Sequence, residues 1–190
     1  MTDIANDSVK ESSKTKSRGL IHIYYGEGKG KTTAAMGLVA RAAGNDKKVL
    51  LSQFVKGRKT GELNVFGSLA NIAILRDETT KKFVWEMTPE ELEEYNAIQL
   101  ALFKKTWNLA VQEDYDLLVL DEFLYVLKSE IIEEQTFLEL LRNRPQKLEV
   151  VMTGRPASET LIEASDYVTE MVCVKHPFDN GVKQRKGIEF

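Results

Sequence analysis

Short runs of aliphatic residues alternate along this chain with longer segments whose apolar residues recur at helical spacing. The runs predict strands at residues 21–24, 49–54, 72–75, 117–120, 150–152 and 167–174. The run at 117–120 has no polar face, which is typical of a strand in a parallel sheet covered by helices on both faces. The alternation of strands and helices therefore predicts an α/β fold with a mostly parallel sheet.

Start and stop signals place helices between these strands. A helix is predicted at residues 31–43, because Gly44 is a residue type common just after a helix C-terminus. A long helix is predicted from Thr88 to about residue 112, since Thr88 and Glu91 form a capping box and Pro89 lies in the first turn. Further helices are predicted at 131–142 and 158–164.

Composition narrows the classes of protein to consider. The 190 residues suit one domain, and we expect a flexible polar tail at 1–18 before a single domain at 19–190. A net charge of −3 argues against nucleic-acid binding. Cys173 is the only cysteine, and we find neither a secretory signal nor an apolar stretch of about 20 residues. We therefore expect a cytoplasmic protein with no membrane partner.

Residues 26–33 form a glycine-rich phosphate loop, which changes the picture from fold to function. The loop reads Gly26-Glu27-Gly28-Lys29-Gly30-Lys31-Thr32-Thr33, between a predicted strand and a predicted helix. The usual pattern would place its first glycine at position 25, where this chain has Tyr25. The loop predicts binding of a nucleoside triphosphate, and its shortened form indicates a phosphate register that differs from that of an ordinary NTPase.

Each residue type in the loop supplies one part of a phosphate site. The glycines allow backbone N–H groups to converge on phosphate oxygens, and the helix N-terminus adds partial positive charge. Lys29 and Lys31 supply cations, and the Thr32 hydroxyl is placed to coordinate Mg²⁺. The predicted nucleotide-binding residues are Gly26, Glu27, Gly28, Lys29, Gly30, Lys31, Thr32, Thr33 and Arg155.

Two carboxylates follow the most aliphatic strand. Asp121 and Glu122 come directly after residues 117–120, where phosphate-loop proteins place a carboxylate that holds Mg²⁺ directly or through water. The predicted metal ligands are therefore Thr32, Glu122 and Asp121. The residues alone leave open which carboxylate binds the metal, and whether Glu122 activates water for hydrolysis instead.

Three further side chains, two aromatic and one cationic, require a separate interpretation. Phe83 and Trp85, spaced by one residue, are on composition alone more typical of a strand face buried in a core. Arg155 carries a planar fork that suits a polyphosphate, although a surface ion pair is the simpler role.

Beyond these elements, the chain from about residue 19 to residue 190 resembles the ATP:corrinoid adenosyltransferases of the cobalamin-biosynthesis type. The resemblance rests on the shortened loop, on Leu120-Asp121-Glu122 and on an ordered set of further blocks. Those blocks are Gln53-Phe54-Val55-Lys56-Gly57, Thr60-Gly61-Glu62-Leu63-Asn64, Phe83-Val84-Trp85-Glu86, Thr153-Gly154-Arg155, Lys175-His176-Pro177-Phe178-Asp179 and Gly187-Ile188-Glu189-Phe190. Tyr25, Glu27 and Phe123-Leu124 depart from the residues common in that family.

The resemblance implies a phosphate-loop NTPase fold related to the RecA core, working as a homodimer. It implies transfer of the 5′-deoxyadenosyl group of ATP to the cobalt(I) of a reduced corrinoid, with release of triphosphate and with a reduced flavoprotein as a suitable electron donor. It assigns catalytic roles to Lys31, Phe83, Trp85 and Arg155, the aromatic pair closing the lower face of the corrinoid. It favours Glu122 over Asp121 as the Mg²⁺ ligand.

Two competing functions remain from the residues themselves. An ATP-hydrolysing switch or motor would use Glu122 to activate water, and a binding module would keep the fold without the reaction. The sequence does not identify the preferred corrinoid, and a role for residues 1–18 as a lid over the site is a hypothesis.

Overall fold

The computed structural model describes residues 18–55, 60–80 and 82–189. Within this part of the chain, six parallel strands form one sheet in the order β3-β2-β4-β5-β1-β6. The strands are β1 (Ile21–Tyr25), β2 (Val49–Gln53), β3 (Ile72–Arg76), β4 (Leu117–Asp121), β5 (Glu149–Gly154) and β6 (Tyr167–Glu170). The predicted parallel α/β fold is confirmed.

Helices cover this sheet on both faces. They are α1 (Lys31–Ala43), α2 (Gly61–Phe66), α3 (Pro89–Gln112), α4 (Phe123–Lys128), α5 (Glu134–Arg142) and α6 (Glu159–Glu163). The bounds predicted for α1 are confirmed. The predicted capping box of α3 is also confirmed, since the Glu91 N–H donates to Thr88 Oγ1 at 3.3 Å and the Thr88 N–H donates to Glu91 Oε2 at 3.0 Å.

The predicted helices and strands differ from the observed ones in two short helices and at some element ends. Helices α2 and α4 were not predicted, because each has only six residues, which is too few for helical periodicity to be recognised in the sequence. The predicted start of α5 at residue 131 is three residues early. Strand β6 ends at Glu170 rather than at 174, because the backbone after it follows the phosphate loop. The tail predicted at 1–18 lies outside the described residues except for Arg18.

Two hydrophobic clusters hold the layers together. On one face, Phe54, Phe103 of α3 and Phe137 of α5 pack around Phe123, whose ring centroid lies 4.7 Å from that of Phe137. On the other face, α1 buries Ala35, Met36 and Val39 against the sheet. Each such aromatic pair adds about 0.5–1.5 kcal/mol beyond the burial of its surface. The sheet is therefore a rigid base for the loops at its edges.

The carboxyl ends of four adjacent strands meet at one edge of the sheet. Gln53 ends β2 opposite Asp121 of β4, and Tyr25 ends β1 opposite Gly154 of β5. Ligand sites in parallel sheets form at this edge. The phosphate loop, both candidate carboxylates and Arg155 all leave the sheet here, as the order of the sequence motifs requires.

Candidate active site

The phosphate loop wraps around the ammonium group of Lys31. Lys31 Nζ donates to the carbonyl oxygen of Gly26 at 2.6 Å and to that of Gly28 at 2.8 Å. Gly26 and Gly30 have φ values of 107° and 115°, which glycine adopts at little cost. Helix α1 begins directly after Gly30, so its N-terminal N–H groups face the same loop. The predicted strand, loop and helix are all present.

The segment after β6 determines how closely the loop can approach the sheet. The Met171 N–H donates to the Tyr25 carbonyl at 2.8 Å, and the Gly28 N–H donates to the Met171 carbonyl at 2.6 Å. A Cβ added at Gly26 or Gly28 would lie 2.6 Å from that same Met171 oxygen. These glycines are therefore required by contact with protein backbone, in addition to any contact with phosphate.

Asp121 is fully buried and accepts hydrogen bonds from three side chains of the described part of the chain. Its Oδ1 accepts from Thr32 Oγ1 at 2.9 Å and from Thr153 Oγ1 at 2.7 Å. Its Oδ2 accepts from Gln53 Nε2 at 3.1 Å. The Thr32 hydroxyl donates its proton to this carboxylate, and a hydroxyl oxygen oriented in this way can coordinate a cation through a lone pair. Asp121 thus orients Thr32.

Glu122 has a different environment from its neighbour. It lies in the left-handed region with φ 59° at the start of α4, and its N–H donates to Thr153 Oγ1 at 2.9 Å. The side chain is half-buried. Within residues 18–55, 60–80 and 82–189, no cluster of three or more His, Cys, Asp or Glu side chains could bind a metal by itself. A cation here would need the Thr32 hydroxyl, one carboxylate and oxygens of a ligand.

Charged side chains from two other elements reach the loop. Arg155, directly after β5, forms an exposed ion pair with Glu27. Lys29 Nζ lies 3.2 Å from Glu189 Oε1 near the C-terminus, and Arg185 donates to both carboxylate oxygens of Glu189. The hydrogen bonds from Arg185 lower the pKa of Glu189 from 4.5 to about 2. Thr33 is exposed in the first turn of α1.

The aromatic pair at 83 and 85 is a surface feature. Phe83 and Trp85 stack with ring centroids 4.5 Å apart and an interplanar angle of 7°. Trp85 is 79% exposed and Phe83 41% exposed, on a 3₁₀ turn (Val84–Glu86) between β3 and α3. The reading of these residues as a buried strand face is wrong, because the chain has left the sheet at Arg76. A flat, exposed aromatic surface is suited to contact with a planar ligand.

Sequence reasoning gave no role to several residues that build this site. Gln53 and Thr153 both bond Asp121, and Met171 and Glu189 bond the loop. A signal was present for two of them, since Gln53 and Thr153 are polar residues at the ends of buried aliphatic strands. The bonds themselves join residues far apart in the sequence.

Comparison with known proteins decides the family. The model for ATP:corrinoid adenosyltransferases of the BtuR/CobO/CobP type matches residues 17–190. The chain belongs to this family. A corrinoid adenosyltransferase of Pseudomonas aeruginosa is 38% identical over 178 residues, which span 91% of this chain and 84% of that protein. The corrinoid adenosyltransferase of Escherichia coli K12 is 33% identical over 174 residues, 91% of this chain and 86% of the relative.

Family membership confirms the resemblance and the enzyme class inferred from the sequence motifs. The corrinoid adenosyltransferase CobA of Salmonella typhimurium, 34% identical over 174 residues, agrees with the same assignment. The ATP-hydrolysing switch gains no support from any of these relatives. In the described part of this adenosyltransferase, no helix is long and apolar enough to cross a membrane.

Proposed function

We propose that this chain transfers the 5′-deoxyadenosyl group of ATP to the cobalt of a reduced corrinoid. The cobalt(I) electron pair forms the bond to C5′, the C5′–O bond breaks, and its electrons leave with inorganic triphosphate. The observation that carries the proposal is a phosphate loop whose Thr32 bonds Asp121, in a chain that matches the adenosyltransferase family over residues 17–190. Cobalt(I) is itself the nucleophile, so the protein needs no nucleophile and no general base.

The protein's task is to align the two substrates and to stabilise the leaving triphosphate. Both are effects of position and electrostatics. Lys29 and Lys31, the loop N–H groups and the N-terminus of α1 supply positive charge where the leaving group gains negative charge. The shortened loop acts in this proposal as a cradle for the whole triphosphate chain while carbon, rather than phosphorus, is attacked.

Mg²⁺ fits the donor set at Asp121. The cation would neutralise charge on the triphosphate, as metal ions do in phosphate-loop enzymes. Thr32 supplies a hydroxyl oxygen whose proton is held by Asp121, and Glu122 supplies the carboxylate. Asp121 already accepts three hydrogen bonds, which favours Glu122 as the direct ligand and Asp121 as the group that orients Thr32.

Arg155 is proposed to exchange partners during the reaction. Its guanidinium pairs with Glu27, and both side chains are exposed. Exposed ion pairs contribute only about 0–1 kcal/mol, so a triphosphate can displace Glu27 at little cost. A guanidinium fork can bind two phosphate oxygens at once. Glu27 would then hold Arg155 beside the loop until the nucleotide binds.

The exposed aromatic pair is proposed to close the lower face of the corrinoid. Excluding the axial ligand would leave cobalt(II) four-coordinate, which makes its reduction easier. We expect Phe83→Ala and Trp85→Ala to lower turnover by at least tenfold while the Kd for ATP changes less than twofold. Steady-state kinetics and calorimetric titration with ATP measure the two effects. Equal losses of turnover and ATP affinity would remove the aromatic pair from the corrinoid site.

Three further parts of the proposal concern the setting of the enzyme. In the described part of the chain β6 is an edge strand, and Tyr167, Val168 and Val172 are exposed apolar residues on and just after it, which suits contact with a second copy of the chain. We expect a homodimer, which sedimentation equilibrium checks; a monomer at micromolar concentration would contradict it.

A reduced flavoprotein is the proposed electron donor. The single cysteine, Cys173, agrees with a cytoplasmic location.

The reaction is tested by following the corrinoid itself. The full chain is incubated with ATP, Mg²⁺ and chemically reduced cobalamin in the dark. We expect the absorbance spectrum of an alkylated corrinoid, which light converts to that of a cobalt(II) or cobalt(III) corrinoid because the cobalt–carbon bond breaks homolytically. An unchanged corrinoid spectrum at full ATP occupancy would reject the proposal and favour a binding module.

A further inference from the structure

Gln53 is a buried side chain whose amide nitrogen has a hydrogen-bond partner and whose amide oxygen has none in the described part of the chain. It is the last residue of β2, is 1% exposed, and donates from Nε2 to Asp121 Oδ2 at 3.1 Å. Its Oε1 is also buried and has no hydrogen-bond partner in the described part of the chain. Buried polar groups are nearly always paired, so this acceptor requires an explanation.

The chemistry of Asp121 fixes which way the Gln53 amide faces. An ionised carboxylate can only accept hydrogen bonds, so the amide NH₂ must face Asp121 and the amide oxygen must face elsewhere. Thr32 and Thr153 occupy the other carboxylate oxygen. Flipping the amide would place two acceptors together. The unsatisfied Oε1 is therefore a property of the site.

A strong hydrogen-bond donor is the missing partner of Oε1. Mg²⁺ binds proteins with several of its water molecules retained, and these waters are strong donors because the cation polarises them. Gln53 lies beside the carboxylate that orients Thr32, which is a proposed ligand of that cation. A metal-bound water therefore provides the donor that this position lacks.

We propose that Gln53 is a positioning residue of the Mg²⁺ site, whose Oε1 accepts a hydrogen bond from a water molecule bound to the metal. Its Nε2 holds Asp121, so one side chain links the orienting carboxylate to the metal's hydration shell. This inference rests on the Mg²⁺ site of the proposed function. It is tested by binding alone, without corrinoid, so its failure is distinct from failure of the adenosyl transfer.

The experiment uses inorganic triphosphate, which has no ribose hydroxyl that could serve as the donor instead. Calorimetry measures the affinity of the full chain for triphosphate with Mg²⁺ and with EDTA. Gln53→Met keeps the volume and removes both polar ends. We expect about a tenfold loss of affinity with Mg²⁺, the size typical of changes next to a metal's ligands, and less than a twofold change in EDTA.

Ser52→Ala provides a matched control on the same strand. Ser52 is also fully buried, and its hydroxyl shares a 2.9 Å hydrogen bond with Thr106 of α3, away from Asp121. We expect this variant to keep the full gain in affinity that Mg²⁺ provides. Equal losses for Gln53→Met with Mg²⁺ and with EDTA would overturn the proposal, because Gln53 would then only hold Asp121. A parallel titration with MgATP gives a further outcome. A loss of affinity for MgATP without a loss for triphosphate and Mg²⁺ would also overturn the proposal and assign the donor to the ribose.

A crystal structure of the unaltered chain with Mg²⁺ and triphosphate tests the same point without a variant. We expect a water molecule on the metal at hydrogen-bond distance from Gln53 Oε1. A protein group bonded to Oε1, or a metal water bonded elsewhere, would contradict the assignment.

Discussion

At the scale of single residues, the two adjacent carboxylates have separate tasks. Asp121 is fully buried and holds Thr32, Thr153 and Gln53, whereas Glu122 is half-buried at the start of α4. The sequence motif could not separate these tasks, because the partners of Asp121 come from three other segments of the chain. Because the two carboxylates have different environments, we expect a substitution of Asp121 to affect mainly stability and a substitution of Glu122 to affect mainly metal binding.

Asp121→Asn should lower the free energy of unfolding by about 1–3 kcal/mol, because an amide cannot accept from all three donors and a buried group is left unpaired. Glu122→Gln should change stability by only about 0.5 kcal/mol, since it leaves the carboxylate network intact. Glu122→Gln should instead raise the Mg²⁺ concentration needed for half-maximal turnover at least tenfold. Urea unfolding and Mg²⁺ titrations measure these effects. An unchanged Mg²⁺ requirement would exclude Glu122 as a ligand.

At the scale of elements, the phosphate loop and the segment after β6 form one unit. Backbone hydrogen bonds join Met171 to Tyr25 and Gly28, and Glu189 joins Lys29. The end of β6 was predicted too late because its alternating pattern continues to residue 174, while the backbone there bonds the loop. Local patterns do not report bonds between segments so far apart.

Gly28→Ala tests this contact. The added Cβ would lie 2.6 Å from the Met171 carbonyl oxygen, so we expect a loss of about 1–3 kcal/mol in stability together with weaker triphosphate binding. Gly37→Ala is the control, because Gly37 lies exposed within α1 and a Cβ there meets nothing within 4 Å. The Gly37→Ala variant should have a free energy of unfolding about 0.5–1 kcal/mol higher than that of the unaltered chain. Chemical denaturation compares the variants. A Gly28→Ala variant as stable as the unaltered chain would show that the loop accommodates the added Cβ without strain.

The contact at Glu189 has its own pH range. Because its pKa is lowered to about 2, Glu189 stays ionised well below the usual 4.5. A lowered carboxyl pKa contributes stability that is fully present above 4.5 and is lost as the pH falls towards about 2. Arg185→Gln should return the pKa towards 4.5, which NMR titration of the carboxyl carbon reports. A titration unchanged by this variant would exclude Arg185 as the cause.

At the scale of the whole molecule, the sequence predicted the parallel α/β fold and the place of the site. Helices α1 and α3 were predictable because Gly44 and the Thr88–Glu91 capping box act locally. The phosphate loop follows β1 and Asp121 ends β4, on either side of β5, so parallel strands place both at the same edge of the sheet. The exposure of Trp85 did not follow, because only the path of the chain after β3 determines it.

The central claim is that carbon, and not phosphorus, is attacked while the loop holds the whole leaving group. The most direct test is the stoichiometry of products after one incubation with MgATP and chemically reduced corrinoid. The account predicts one inorganic triphosphate for each adenosylcorrinoid, with no orthophosphate or diphosphate formed in step with the reaction. Orthophosphate or diphosphate released without adenosylcorrinoid would contradict it and identify a hydrolase.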